Sequence, residues 1–195
     1  MTNPADTPRD AQPADLASPD EIVAFWFDEL APRDWFRKST ALDRRIAQRF
    51  GATLTVAAQS GLKRWRTRPI GRLAEILVLD QFSRNIHRDT PQAFANDSEA
   101  LALAREAIAA GDDNVLTRQQ CAFLYMPFMH SEALVDHGVA LRLYKSLGLA
   151  GHLKAERQHY AIIERFGRYP HRNALLGRQS TPAEKAFLRE PGSSF

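Results

Sequence analysis

Apolar residues along this chain recur every three or four positions and almost never alternate, so helices are predicted throughout and no convincing strand. The first helix opens at SPDE. Ser18 stands as N-cap, Pro19 at the first helical position and Glu21 two further on, the residues of a capping box. It carries Ile22, Val23, Phe25, Trp26 and Phe27 and ends near Leu30, before Pro32. A second helix, from near Thr40, repeats Leu42, Ile46, Phe50 and Leu54, and Gly61 stops it. A third starts at Pro69 and runs through LVLDQFSRNIHRD. The fourth begins at Asn96 or Asp97, puts Leu101, Ala104 and Ile108 on one face and ends at Gly111. The fifth, from Thr117, is apolar all round from Cys121 to Met126 and therefore belongs in the core; Pro127 kinks or ends it. A sixth covers about 132–147 and a seventh about 151–166, with Gly167 as its stop. TPAE, from Thr181, repeats the SPDE signal and opens a short eighth.

This pattern predicts an all-α fold, a stack of antiparallel helix pairs with short connections, in one domain over residues 18–195. Residues 1–17 hold three prolines and no apolar periodicity, and read as a disordered tail. No pair of segments reproduces the tetratricopeptide consensus.

Composition supports helices, because Ala and Leu far outnumber β-branched Val and Ile. The net charge of +3 is mildly basic. That falls short of the dense basic stripe of a nucleic-acid binder, and the stretch KRWRTRPIGR (63–72) reads as a solvated turn between helices. No nucleic acid is expected as partner. The single cysteine, Cys121, sits in an apolar run and reads as a small buried hydrophobe. There is no secretory signal and no apolar run of membrane-spanning length, so no membrane is expected and the cytoplasm is the default address.

Three apolar runs end in polar clusters. Ile76 to Leu79 leads into Asp80, Gln81, Arg84 and Asn85; Cys121 to Met129 leads into His130, Ser131 and Glu132; Tyr160 to Ile163 leads into GRYPHRN, with Arg168, His171, Arg172 and Asn173. Buried charges need partners, so these groups are expected to meet one another or a ligand. Asp80 and Arg84 are four apart and can pair on their own helix, and the later arginines can cap helix ends, which is the structural alternative.

A metal is not expected. Glu156 and His159 form one Glu-x-x-His with His152 a turn earlier, but a helical dinuclear centre needs a second such motif and two more glutamates. Phosphate-binding glycine loops and nucleophile elbows are absent from the sequence, and no cofactor is expected.

The segments LDQFSRNI (79–86), AFANDSEALALAREAI (93–108), FLYMPFMHSE (123–132) and RFGRYPHRNALLGRQSTPAE (165–184) closely resemble the bacterial family known as domain of unknown function 924. The resemblance runs from about Ile22 to Leu188 and implies a tetratricopeptide-like helical stack. Its hallmark positions here are Asp80, Gln81, Arg84 and Asn85; His130, Ser131 and Glu132; His159; and Arg168, His171, Arg172 and Asn173.

Two functions fit. In the first, a small anionic molecule binds where helices three, five and seven end. Gln81, Arg84, Asn85, His159, Arg168, Arg172 and Asn173 line the pocket, His171 or His130 carries a proton, and Asp80 or Glu132 orients it. Hydrolysis or proton transfer is the accompanying chemistry, and whether any step is catalysed stays open. In the second, the polar clusters are structural, and a tetratricopeptide-like module grips a partner protein or peptide elsewhere.

Overall fold

The start signals close as hydrogen bonds. Ser18 Oγ accepts the Glu21 N–H at 3.3 Å, and the Glu21 carboxylate accepts the Ser18 N–H at 2.7 Å. Thr181 and Glu184 repeat the exchange at 3.2 and 2.7 Å. The computed structural model describes residues 16–194. Among the described residues there are eight helices and no strand, as the periodicity predicts.

Helix α1 is Pro19–Ala24, drawn out by a π turn at Phe25–Glu29. Helix α2 is Thr40–Ala58, and α3 consists of Pro69–Ile76, a π segment Leu77–Phe82 and a last turn Ser83–Ile86. Next come α4, Asp97–Ala109, and α5, Arg118–Leu124 resumed as Met126–His130 after a break at Tyr125. Pro127 falls in the first turn of the resumed part, where its missing N–H has no helical partner to lose. Helix α6, Leu134–Leu147, turns through Gly148 at φ 73° directly into α7, Ala150–Phe166, and the two pack along their length as an antiparallel pair. Helix α8 is Pro182–Phe187.

Helix α3 lies at the centre, in contact with α1, α2, α4 and α5, and every residue from Leu73 to Phe82 is buried. Phe25, Trp26, Phe50, Phe82 and Phe123 meet beside it, mostly edge-to-face. The close approach of α3 to the turn Lys63–Thr67 depends on Gly71, where a Cβ would fall 1.8 Å from the Trp65 carbonyl oxygen. The arginines of that turn region are not simply solvated, in contrast to the expectation. Arg66 holds buried Glu75 at 2.8 Å and also Glu99, and Arg72 holds Asp112 at 2.8 Å, because α3, α4 and the turn after α4 present carboxylates there.

Most of the expected tail, 1–17, lies outside the described residues. Its last two, Leu16 and Ala17, pack against the core, and the Ala17 N–H donates to Thr53 Oγ1 at 3.2 Å. No helix among the described residues is long and apolar enough to cross a membrane.

Candidate functional site

The π segment of α3 is where the chain turns polar groups inward. A π turn takes up one more residue than an α turn, so it resets which side chains face the core. Here Asp80 and Gln81 are buried along with the apolar residues around them. Asp80 Oδ1 receives His130 Nδ1 at 2.7 Å and forms an ion pair with Arg84 Nη1 at 2.9 Å. Arg84 Nη1 also donates to the Asp80 backbone carbonyl at 2.9 Å, and Gln81 Nε2 donates to Oδ2 at 2.6 Å. Burial alone would raise the Asp80 carboxyl. The Arg84 guanidinium, with the hydrogen bonds from His130 and Gln81, overcomes burial and holds it well below the usual carboxylate range. His130 goes the other way: burial and the Arg84 charge lower it, so the imidazole is neutral at pH 7. With Nδ1–H committed to Asp80, the lone pair is on Nε2.

Helix α4 contributes Asp97, which is the second carboxylate of the centre. Arg84 grips it with both ends of the fork, at 2.9 and 3.0 Å. Arg172, from the segment after α7, reaches the same carboxylate at 3.2 Å and donates its other terminal nitrogen to the His130 carbonyl at 3.0 Å. Its guanidinium lies 4.6 Å from the ring centres of both Phe94 and Tyr169. Burial and the neighbouring Arg84 charge lower its affinity for its proton, only partly offset by Asp97. Arg172 Nε is buried and has no hydrogen-bond partner among the described residues.

The structure therefore brings together Asp80, Gln81, Arg84, His130 and Arg172 from the three predicted clusters. Glu132 stands beside them, holding Arg178 at 2.6 and 2.9 Å and accepting the Tyr169 N–H at 2.8 Å. His171 packs against the Tyr169 ring, and burial with the Arg172 charge pushes it down to about 4. Ser131 Oγ donates to Asp136 at 2.7 Å.

Four predicted positions are engaged elsewhere. Asn85, one residue beyond Arg84 and so turned about 100° round the helix, donates to Asp43 on α2 at 2.8 Å. Arg168 clasps Glu184 of α8 at 2.6 and 2.9 Å. Asn173 Nδ2 donates to Ser180 at 3.1 Å, and His159 Nδ1 donates to the Ala155 carbonyl of its own helix at 2.8 Å, with its ring edge-on to Tyr169 at 5.7 Å. Cys121 is buried, and burial raises its thiol.

Asp97, Phe94, Tyr169 and the buried pair His137–Glu156 were not predicted for this centre. The segment AFANDSEA carries the first two, but Asp97 reads there as a helix start and nothing in its spacing points to Arg172, 75 residues on. Among the described residues no group of three or more His, Cys, Asp or Glu side chains could hold a metal ion.

A cleft of about 410 Å³ opens over the centre, lined by Phe94, Asp97, Leu101, His130, Glu132 and Arg172, with Leu176 at its edge. A larger hollow of about 600 Å³ lies against Phe166, Arg168 and Glu184. Its charged pair is already closed on itself, so volume alone does not make it the better site.

These features define an all-helical protein with a partly buried two-arginine, two-carboxylate centre and an Asp–His pair beside a cleft. The chain belongs to the bacterial family of proteins of unknown function named DUF924, whose model matches residues 22–192. It is similar to the solved structure of a protein of unknown function, ATU0120, from Agrobacterium tumefaciens. The two are 37% identical, with a TM-score of 0.84 over 88% of this chain and 96% of that one. No curated protein matches this sequence.

Proposed function

We propose that the cleft binds a small anion, a carboxylate or phosphate group, with Arg172 as its anchor and the Asp80–His130 pair as a proton acceptor beside it, in a protein of the cytoplasm. The observation that carries this reading is the charge balance at Arg172. Arg84 is the arginine that faces Asp80, alongside His130 and Gln81, and it also takes Asp97 with both ends of its fork, so Arg172 is left with the edge of a shared carboxylate. A buried guanidinium so served gains from an added negative charge more than a fully paired one does. His130 lines the same cleft in its neutral form, with Asp80 fixing the tautomer, which suits it to accept a proton from a bound molecule or from water. Proton transfer or hydrolysis is the chemistry this pair supports.

The rival is a tetratricopeptide-like module that grips a peptide on an apolar face. Among the described residues, Phe36, Val115, Leu134, Val135 and Leu176 are the exposed large apolar side chains, and they are spread over four separate parts of the chain. Single exposed apolar residues are ordinary on a protein surface, so the cleft is the better-supported site.

A thermal-shift series tests the reading. Acetate, phosphate or both should raise the melting temperature at constant ionic strength, as any ligand of the folded state does. Arg172→Lys, which keeps the charge and loses the fork, should abolish the rise. If neither anion shifts the wild type, the reading fails.

A further inference from the structure

We infer that the ligand is amphiphilic: a monocarboxylate carrying an apolar chain or ring, seated with its carboxylate at Arg172 and its apolar part against Phe94, Leu101 and Leu176. This rests on the anion reading above and adds the chemical class of the molecule.

Charge decides the headgroup. Asp80 and Asp97 balance Arg84 and Arg172, and Glu132 balances Arg178, so the surroundings are neutral overall and deficient only locally, at Arg172. A single negative charge corrects that deficit. A dianionic phosphate would overshoot it, next to the carboxylates of Asp97 and Glu132 that also line the cleft.

The walls decide the rest of the molecule. The polar lining comes from the end of α5, the first turn of α4 and Arg172. Pro91, Phe94 and Ala95 from the preceding turn, Leu101 one turn further along α4, and Leu176 beyond Arg172 are apolar. Leu176 is 38% exposed, an apolar side chain left at the edge of a cleft whose floor is ionic. Phe94 belongs to both halves: it stacks on Arg172 at 4.6 Å while facing the cleft, so it can cover the apolar part of a ligand whose carboxylate meets the guanidinium. A volume of about 410 Å³ takes a small organic acid, not an inorganic ion alone.

Titration calorimetry of the full chain with acetate, butyrate, hexanoate and octanoate at one ionic strength tests this. Affinity should climb about two- to fourfold per methylene until the cleft is filled, following the gain per buried CH₂ group. Leu176→Gln, an exposed substitution, should flatten the climb, and Arg172→Lys should weaken every member. Equal affinity along the series, or binding of inorganic phosphate alone, overturns the amphiphile and leaves the anion site standing. A climb that neither substitution alters places the chain elsewhere and overturns it as well. No binding of phosphate or of any carboxylate sinks both.

Discussion

His130 Nδ1 and Asp80 Oδ1 lie 2.7 Å apart although 50 residues separate them in the chain, and this bond joins the end of α5 to the π segment of α3. The carboxylate it uses is almost wholly buried and also faces Arg84. Asp80→Asn keeps the shape and removes the charge, leaving Arg84 with Asp97 alone. Breaking a buried pair from one side costs about 3–5 kcal/mol, and that loss is expected in urea unfolding at pH 7.

The histidines around Tyr169 set the acid limit of stability. Burial pushes His159 down to about 3, and burial with the Arg172 charge pushes His171 to about 4, against 6.5 for an ordinary imidazole. Between pH 6.5 and about 4 the unfolded chain binds protons that the folded chain does not, so stability falls as pH falls through that window. Asp80 acts lower down the scale: its folded value is depressed, so its stabilisation is lost as pH falls from the ordinary carboxylate value of 3.8 toward the folded one. Urea midpoints measured from pH 7.5 to 4.5 should therefore decline steadily, and His159→Gln should make the decline shallower. A flat profile would contradict the burial-driven shifts.

The buried pair His137–Glu156 is joined by one hydrogen bond of 2.8 Å. His137 Nε2 faces the Ser131 carbonyl at 2.8 Å, which can only accept, so that nitrogen carries hydrogen. Nδ1 meets Glu156 Oε1 at 2.8 Å, while Oε2 is buried with no partner among the described residues. Burial raises the Glu156 carboxyl, which favours the protonated acid as the donor to Nδ1. Gln at 156 can make the same donation. Glu156→Gln should cost under about 1 kcal/mol and Glu156→Ala about 3 kcal/mol in chemical denaturation, the second leaving a buried acceptor unpaired and a void. Equal losses would mean that a carboxylate charge is needed.

Gly71 predicts a packing failure with no chemistry in it. Its missing Cβ lets α3 lie against the Trp65 carbonyl, and a methyl placed 1.8 Å from that oxygen has nowhere to go. Gly71→Ala should lower stability by at least about 1–3 kcal/mol despite the better helix propensity of alanine, read as a lower urea midpoint.

Helices were legible in the sequence because their signals are local. Ser18 with Glu21, Thr181 with Glu184, and the left-handed glycines 111 and 167 all act within one turn, and each does what its position implies. The polar centre was legible as three clusters, since an apolar run ending in charges needs partners wherever it goes. Its wiring was not. Asp97 reaches Arg172 across 75 residues, and Glu132 reaches Arg178 across 46, distances that no periodicity spans. Asn85 shows the opposite error: it is a neighbour of Arg84 in sequence but, a hundred degrees round the helix, it serves α2 instead. The π segment hid the rest, because the face on which Asp80 and Gln81 lie depends on a turn that ordinary helical spacing does not anticipate.

The most direct test of the anion site watches His130 itself. Nitrogen NMR of its imidazole, assigned by comparison with His130→Gln, should show a neutral ring with hydrogen on Nδ1 at pH 7. Its pKa should lie below 6.5, held there by burial and the Arg84 charge. Saturating acetate should move that resonance and raise the pKa, since a negative charge at Arg172 offsets the positive field that depresses it, and Arg172→Lys should cancel the effect. A His130 signal that ignores acetate and phosphate in the folded wild type would contradict the anion site.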